Sequence, residues 1–338
     1  MKAFFSFLFL VVILAIGAAA AGWVWFNDAV SRDGPAAEAR VFEVRAGESL
    51  VSVASRLEAE GIIVDDRLMR LKARLDGVET AVKAGEFEVP ARASVSTVLD
   101  TLVEGDAIQY RITIPEGRTT AQALAIIAAD EVLTGEMPET APEEGVLLPD
   151  TYLFTRGTTR AELIERMQAA QDDLLDELWP ERAGDIPVET REAAVILASV
   201  VEKEAGSMEE IGLVAGVFTN RLRRGIPLQS DPTVIYGVSK GEPLYNRRGE
   251  RRTLYRSELD RETPWNTYKI PGLPATPICN PGRAAIAAVL DPPETDYLFF
   301  VADGTGGHAF AETLAEHNRN VAAYRRYEAE EIARERSN

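Results

Sequence analysis

The chain opens with an unbroken apolar stretch. Residues 3–26 contain no charged side chain, and the aromatic segment 23–26 ends the run. About 20 apolar residues span a bilayer and aromatic residues favour its interface, so we expect residues 1–27 to form a cytoplasmic tip and a transmembrane anchor. A cleaved signal peptide is the alternative, because Ala18-Ala19-Ala20 is typical of a cleavage site. Lys2 before the run and acidic residues after it favour a body outside the cytoplasm.

Beyond the anchor, the hydrophobic pattern changes to short strands and helices. Residues 28–40 are polar and contain Gly34-Pro35, which indicates a linker. Alternating and helical spacing then predicts a β-α-α-β-α-β order, with strands at 41–44, 85–89 and 109–114 and helices at 49–60, 65–75 and 94–103. Further helices are predicted at 119–129, 158–181, 190–204, 208–224 and 314–336.

This pattern predicts an α+β fold with an N-terminal transmembrane helix. A small subdomain at 41–107 precedes a larger mixed α+β catalytic domain at 108–330 and a C-terminal tail at 331–338. Within the small subdomain, Val44-Arg45-Ala46-Gly47-Glu48-Ser49-Leu50 resembles the start of LysM modules, which bind glycans that contain N-acetylglucosamine. The same residues also fit an ordinary turn followed by a helix cap at Glu48 or Ser49.

Composition limits the partners of the folded body. The formal net charge is −18, and nucleic acid and anionic lipid are bound through Lys and Arg, so neither is an expected partner. A polymer held by this chain is expected to be recognised through hydrogen bonds and stacking, which suits a glycan. The single cysteine, Cys279, excludes an intramolecular disulfide. The two histidines, His308 and His317, have no metal-ligand spacing, so we expect neither a metal nor a cofactor.

Candidate chemistry lies at the end of the helix predicted at 190–204. Its last turn holds Glu202-Lys203-Glu204, and Glu204 continues the bulkier apolar stripe of the helix. Burial and the negative field at a helix C-terminus both disfavour a carboxylate anion, so they raise the pKa. A carboxyl group that keeps its proton near neutral pH is suited to general acid catalysis at a glycosidic oxygen. The alternative is a solvated helix end whose charges have no catalytic role.

The blocks after this helix carry a more specific resemblance. They are Leu148 to Tyr152, Pro227 to Gly237, Leu244 to Asn246, Thr263 to Tyr268, Gly272 to Pro274, Tyr297 to Gly304 and Gly306 to Phe310. In this order and spacing, the chain resembles the endolytic murein transglycosylases of the YceG-like (MltG) family. The resemblance implies non-hydrolytic cleavage between N-acetylmuramic acid and N-acetylglucosamine inside a nascent strand, which leaves a 1,6-anhydro end and would terminate elongation.

The resemblance also implies roles for particular residues. The second glutamate of the family's Glu-Lys-Glu motif corresponds to Glu204, which the helix pattern also selects. It would protonate the leaving oxygen and then accept the proton of the muramic acid 6-hydroxyl group. His308 matches a family position near the site, although a loop residue bonded to the backbone is the alternative. Asp231 is a candidate second carboxylate or a turn residue before Pro232.

Other residues of these blocks are candidates for substrate binding. Polar side chains suited to sugar hydroxyl and N-acetyl groups are Gln229, Ser230, Asp231, Thr233, Asn246, Asn266 and Thr267. Aromatic side chains suited to stacking on sugar rings are Tyr236, Tyr245, Trp265 and Tyr268. Each of these side chains is also compatible with core or turn packing.

The resemblance completes the expected setting of the protein. Its substrate would be peptidoglycan glycan strands, its partners would include peptidoglycan synthases, and it would sit as a single-pass protein in the inner (plasma) membrane, with the catalytic domain in the periplasm. Two alternatives remain at this stage. One is a peptidoglycan hydrolase that uses Glu204 with Asp231. The other is a non-catalytic glycan-binding scaffold in which the LysM-like subdomain is the active part.

Overall fold

The computed structural model describes residues 2–337, with side chains described for residues 4–334. The chain folds into two compact units. The N-terminal unit comprises Met1–Arg111, Glu131–Thr134 and Leu153–Thr159, and the C-terminal unit comprises Ile112–Asp130, Gly135–Tyr152 and Arg160–Asn338. The mixed α+β composition and the N-terminal apolar helix confirm the α+β class that the sequence predicts.

The first elements follow the predicted order. They are α1 (Lys2–Ser31), β1 (Arg40–Val44), α2 (Leu50–Ala59), α3 (Asp66–Asp76), β2 (Gly85–Val89), α4 (Val95–Val103) and β3 (Gln109–Thr113). Three of the helices begin at side-chain caps, because Ser49, Asp65 and Ser94 each accept a hydrogen bond from a backbone N–H of the first turn.

The core of the N-terminal unit is built on the pairing of β1 with β2. The strands run antiparallel, with Phe42 opposite Phe87 and Val44 opposite Gly85. Alternate side chains of a strand point to the same face, so Phe42, Val44, Phe87 and Val89 all enter one core with apolar side chains of α2, α3 and α4. Burial of these side chains stabilises the unit without any buried polar partner.

Helix α1 extends from the apolar run into this core. Its side chains from residue 4 to residue 25 are exposed, and Phe26 is the first that is buried. The helix continues past the predicted end of the anchor at residue 27 as far as Ser31, and it buries Val30 in the same core. The apolar run and the N-terminal unit are therefore joined by continuous helix.

The segment 28–40, predicted as a linker, is also packed. The backbone N–H of Gly34 donates to the Arg92 carbonyl oxygen at 3.1 Å, and the Arg92 N–H donates to the Ala36 carbonyl oxygen at 2.7 Å. A Cβ at Gly34 would lie 2.2 Å from the Ala93 carbonyl oxygen, so this close approach requires glycine. The polar composition of the segment reflects its position at the surface of the unit rather than freedom to move.

The remaining elements complete the chain. They are α5 (Thr120–Ala129), β4 (Thr151–Thr155), α6 (Arg160–Leu178), α7 (Arg191–Glu204), α8 (Ile211–Arg223), α9 (Asp231–Ser239), α10 (Arg256–Leu259), α11 (Arg283–Leu290), β5 (Phe299–Ala302), β6 (His308–Ala311) and α12 (Leu314–Ser337). Strand β3 pairs with β4, and β5 pairs antiparallel with β6. Helix α8 begins at Ile211 rather than at residue 208, because Glu210 still closes a turn onto the Ser207 carbonyl oxygen.

Helices α7, α8 and α11 form the core of the C-terminal unit. Leu197 and Val201 of α7, Phe218 of α8 and Ile286 of α11 are all buried in one cluster. Thr190 begins α7 as its N-cap, since its hydroxyl group accepts the Ala193 N–H at 3.1 Å. This helix is apolar on most faces until its last turn, so the fold holds the Glu202–Glu204 triplet at the edge of the core.

Candidate active site

The three charged residues that end α7 have different surroundings. Glu202 accepts the backbone N–H of Gly282 at 3.1 Å, whereas Lys203 is exposed and its Nζ donates to the Gly117 carbonyl oxygen at 3.3 Å. Glu204 lies beside groups of α8, α9 and β6. The triplet is therefore not a uniformly solvated helix end, because each side chain has its own partners.

Glu204 combines burial with access to solvent. Its side chain is only partly accessible, and the surrounding protein raises the pKa of the carboxyl group to about 7, mainly by desolvation. The negative charge of Asp231 raises the pKa further, whereas Ser230, His308 and Arg221 stabilise the anion and lower it. Because this pKa lies near neutral pH, the carboxyl group can both donate and accept a proton there.

Ser230 is the neighbour of Glu204 with spare hydrogen-bonding capacity. Its side chain is buried, with 1% of its surface exposed, and its Oγ has no hydrogen-bond partner of normal geometry. The hydroxyl group nevertheless lies close enough to the Glu204 carboxylate to stabilise the anion. Because this hydroxyl group lies inside the protein, it acts on the Glu204 carboxylate and not directly on a ligand.

Asp231 and Tyr268 form a pair on the same side of Glu204. Asp231 is exposed at the first position of α9, and its Oδ1 accepts a hydrogen bond from the Tyr268 hydroxyl group at 2.7 Å. Burial raises the pKa of Tyr268 above its usual value, and the negative charges of Asp231 and Glu204 add to this effect. The tyrosine therefore keeps its proton and holds the aspartate in a fixed orientation.

The loop before α9 is held by Arg221, which the sequence analysis missed. This buried guanidinium donates from Nη1 to the carbonyl oxygens of Leu228 at 2.8 Å and Pro227 at 3.1 Å, and from Nε to that of Leu298 at 2.7 Å. Gln229 then adopts a positive φ of 55° and is exposed next to the site. Arg221 thus fixes the loop and also places a cation near Glu204.

Three predicted binding residues lie inside the protein instead of on its surface. Thr233, Asn266 and Thr267 are each 0% exposed. The Thr233 hydroxyl group donates to the Ser230 carbonyl oxygen at 2.6 Å and lies 2.8 Å from the Thr267 hydroxyl group. Asn266 Nδ2 donates to the carbonyl oxygens of Leu259 and Arg261 at 2.9 and 2.7 Å. Their hydrogen bonds fix the backbone on both sides of the Asp231–Tyr268 pair.

The aromatic candidates are divided between packed and exposed positions. Tyr236 is buried, its hydroxyl group donates to Glu144 at 3.1 Å, and its ring meets Trp265 edge to face at 5.7 Å. Lys240 covers the Trp265 ring, with Nζ 3.3 Å from the ring centroid. Tyr245, in contrast, is 58% exposed. Among these aromatic residues, Tyr245 can contact a ligand because it is exposed, and Tyr268 can do so because it lies beside Glu204.

His308 is held by a second residue that the sequence analysis missed. Glu210 accepts the His308 backbone N–H at 2.6 Å and bonds to the ring Nδ1 at 2.8 Å. His308 Cε1 also lies 3.4 Å from the position of a Cβ at Gly206, two residues after Glu204. The histidine thus lies beside the end of α7, and Glu210 fixes its ring with Nδ1 facing the carboxylate.

The structure therefore brings together part of the predicted set. Glu204 is joined by Ser230, Asp231, Tyr268 and His308. Asn246 instead closes a separate turn, where its Oδ1 accepts the N–H groups of Arg248 and Glu250 at 2.8 and 3.1 Å. Among the residues that the structure describes, no group of three or more His, Cys, Asp or Glu side chains is arranged to hold a metal ion.

Comparison with known proteins identifies related chains. The profile of the YceG-like family matches residues 42–323. A Bacillus subtilis protein named endolytic murein transglycosylase is 29% identical over 311 residues, which cover 83% of each chain. A Streptococcus pneumoniae protein of the same name is 28% identical, over 82% of this chain and 57% of its own length. The crystal structure of a YceG-like protein from Listeria monocytogenes superposes with a TM-score of 0.50 at 26% identity, over 83% of this chain and 98% of that one.

Proposed function

The chain belongs to the YceG-like family, and from this premise we propose that it is an endolytic murein transglycosylase, a lyase that cuts peptidoglycan glycan strands. Relatives in Bacillus subtilis and Streptococcus pneumoniae carry this name. The observation that supports the activity in this chain is the state of Glu204, whose pKa is raised to about 7 while solvent still reaches the side chain.

We propose that Glu204 is both the acid and the base of the reaction. Protonated Glu204 donates its proton to the oxygen that links N-acetylmuramic acid to N-acetylglucosamine, and the bond from C1 of muramic acid to that oxygen breaks. The 6-hydroxyl oxygen of the same muramic acid then bonds to C1, and its proton passes to the Glu204 carboxylate. The acid is regenerated, a 1,6-anhydro end is formed and no water is consumed. A pKa near the working pH suits both steps.

The neighbours of Glu204 take supporting roles in this proposal. The exposed side chain of Gln229 contacts sugar hydroxyl or N-acetyl groups, whereas the buried hydroxyl group of Ser230 stabilises the Glu204 anion. The Asp231–Tyr268 pair orients the sugar and keeps the pKa of Glu204 high through the charge of Asp231. His308 stabilises the Glu204 anion after the proton has left.

The remaining predicted contacts are divided by exposure. Thr233, Asn266 and Thr267 support the loops from within, and Tyr236 does the same through Glu144. Tyr245, which is exposed, and Asn246 beside it would meet the strand farther from the cut.

The N-terminal part supplies the setting of the reaction. The antiparallel β1–β2 pair with α2 and α3 between them supports a LysM-like subdomain at 41–107 that holds the glycan. The run Phe4–Ser31 is long and apolar enough to cross a membrane, which supports a single-pass anchor with the C-terminal unit outside the cytoplasm. Peptidoglycan synthases, which make the nascent strands, are the partners that this setting favours.

The test is product analysis on un-crosslinked glycan strands. Wild-type protein is expected to release fragments that are lighter by one water molecule than the products of hydrolysis. Glu204→Gln is expected to lower the rate by about 1000-fold, since it removes a general acid–base group. Glu202→Gln is the matched control, because it changes the same residue type in the same turn and keeps an acceptor for the Gly282 N–H.

Two results would contradict this mechanism. Products that contain an added water molecule would favour the hydrolase, in which Asp231 activates water or attacks the sugar. Failure of the wild-type protein to cut, together with retained binding of strands, would favour the glycan-binding scaffold.

A further inference from the structure

The last turn of α7 has a second open side. Lys203 points away from Glu204 and is anchored by its hydrogen bond to the Gly117 carbonyl oxygen. It lines two adjoining hollows of about 280 and 500 Å³, which also share Arg251 and the segment 241–243. We name this continuous depression the side groove. It lies entirely within the C-terminal unit.

The side groove is rich in cations that lack an ion-pair partner. Lys203, Arg118 and Arg251 line it, and within the described part of the chain none of the three has a carboxylate oxygen within 4.0 Å. Two acids are also present: Glu116, and Glu242, which accepts a hydrogen bond from Gln122 at 3.1 Å. The groove therefore carries more positive than negative side chains, in a chain whose net charge is −18.

A turn at one end of the side groove adds to this charge. Tyr245 and Arg251 form an isolated β-bridge around the turn that Asn246 closes, and we name residues 244–252 the arginine hairpin. The hairpin holds four arginines and one glutamate. Arg252 is neutralised by Glu258, with two contacts of 2.7 Å. The other three arginines are exposed and available to a ligand.

The side groove and the Glu204 site share two structural walls. In α7, Glu204 faces one site and Lys203 faces the other. In the first turn of α9, Asp231 belongs to the Glu204 site, whereas Pro232 and Ile235 line the groove. The two sites are therefore lined by neighbouring residues of the same two helical turns.

We propose that the side groove and the arginine hairpin bind the carboxylates of the stem peptide carried by muramic acid. This inference rests on the proposed function, because it assigns the part of the same substrate that Glu204 does not touch. Planar guanidinium groups match carboxylate geometry, and the anchored ammonium group of Lys203 adds a fixed point charge. The concave shape favours a peptide branch over a flat lipid surface, and the overall negative charge of the chain opposes anionic lipid.

The test compares three glycans that differ only in their branches: stem peptides with free carboxylates, the same peptides as carboxamides, and strands stripped of peptide. The full chain with Arg118→Gln and Arg251→Gln is compared with wild type by kcat/KM and by equilibrium binding. We expect a loss of about tenfold on the carboxylate glycan alone. A chain with Arg319→Gln and Arg325→Gln, which removes two exposed arginines from α12, is the matched control and should show no such selectivity.

Every other outcome overturns either the inference that the groove binds carboxylates or the proposed cutting activity, and the experiment distinguishes these two failures. An equal loss on all three glycans, or no loss, rules out carboxylate recognition at the groove while the cutting activity stands. Weaker binding of the variant to phosphatidylglycerol vesicles, with glycan binding unchanged, assigns the cations to a membrane and overturns the inference. If wild-type protein cuts none of the glycans, the proposed function fails, and equilibrium binding to the same three glycans still decides the role of the groove.

Discussion

The interiors of the two units are built differently. The core of the N-terminal unit consists of apolar side chains such as Phe42, Leu57, Met69 and Phe87. Among the residues that the structure describes, every buried polar or charged side chain lies in the C-terminal unit: Thr119, Thr120, Gln171, Ser199, Thr219, Asn220, Arg221, Ser230, Thr233, Glu258, Asn266, Thr267 and Asn280.

This difference separates stability from chemistry. An apolar core gains free energy from burial alone, whereas a buried polar group costs free energy unless a hydrogen bond satisfies it. The C-terminal unit uses Arg221, Thr233 and Thr267 to hold irregular backbone beside Glu204. The buried polar side chains of the C-terminal unit thus position the site, whereas the core of the N-terminal unit is apolar.

The largest expected effect tests the apolar side of this comparison. Phe87→Ala removes a fully buried ring opposite Phe42, so we expect the N-terminal unit to lose about 3–5 kcal/mol of unfolding free energy. Chemical denaturation measures the change. Val41→Ala, on the exposed face of β1, is the control and should change stability little. A loss below about 1 kcal/mol for Phe87→Ala would show that this core is not close-packed.

The second prediction concerns the pH dependence of the polar side. The pKa of Glu204 in the folded chain, about 7, is higher than its usual value of 4.5. The favourable contribution of Glu204 to the free energy of unfolding is therefore fully present below pH 4.5 and is lost as the pH rises through 7. Above pH 7 the wild-type protein buries an anion. The free energy of unfolding of Glu204→Gln, relative to that of the wild type, should therefore rise by about 2 kcal/mol from pH 5 to pH 8.

Unfolding curves of the C-terminal unit at both pH values test this expectation. Glu328→Gln, an exposed change on α12, is the control and should show no such gain. Equal stabilities of Glu204→Gln and wild type at pH 5 and pH 8 would indicate that the Glu204 carboxyl group is well solvated.

The smallest expected effect is that of Asp231→Asn. The variant keeps an oxygen that accepts the Tyr268 hydrogen bond, so we expect strand cutting to fall by less than about tenfold. The negative charge of Asp231 raises the pKa of Glu204, so its removal should move the alkaline limb of the activity profile to lower pH. Rates measured from pH 5 to pH 9 test both points. A loss as large as that of Glu204→Gln would support the hydrolase instead.

Local sequence signals account for most of the N-terminal unit. Strand alternation and helical spacing are visible in short windows, and the observed elements from β1 to β3 begin and end within one or two residues of the predictions, whereas α1 continues past residue 27 to Ser31. The same reasoning selected Glu204, because an apolar stripe that ends in a carboxyl group predicts a raised pKa. The segment 28–40 was predicted as a linker, and its packing was missed because its contacts with Arg92 depend on residues far along the chain.

The rest of the site depends on tertiary contacts that no local pattern contains. Arg221 looks like Arg223 and Arg224 in the sequence, yet only Arg221 turns inward to the carbonyl oxygens of the loop. Thr233 and Thr267 look like sugar-binding hydroxyl groups, but they bond to each other in the interior. Glu210 becomes significant only when strand β6 brings His308 beside it.

Helix α1 has a mechanical consequence for an anchored enzyme. Because Phe26 and Val30 are part of the core of the N-terminal unit, the proposed membrane anchor continues into this unit as one uninterrupted helix. In this arrangement the distance of the N-terminal unit from the membrane would be set by the length of the helix, at about 5.4 Å per turn, and not by a flexible linker. The N-terminal unit would then contact growing glycan strands at a fixed distance from the lipid surface.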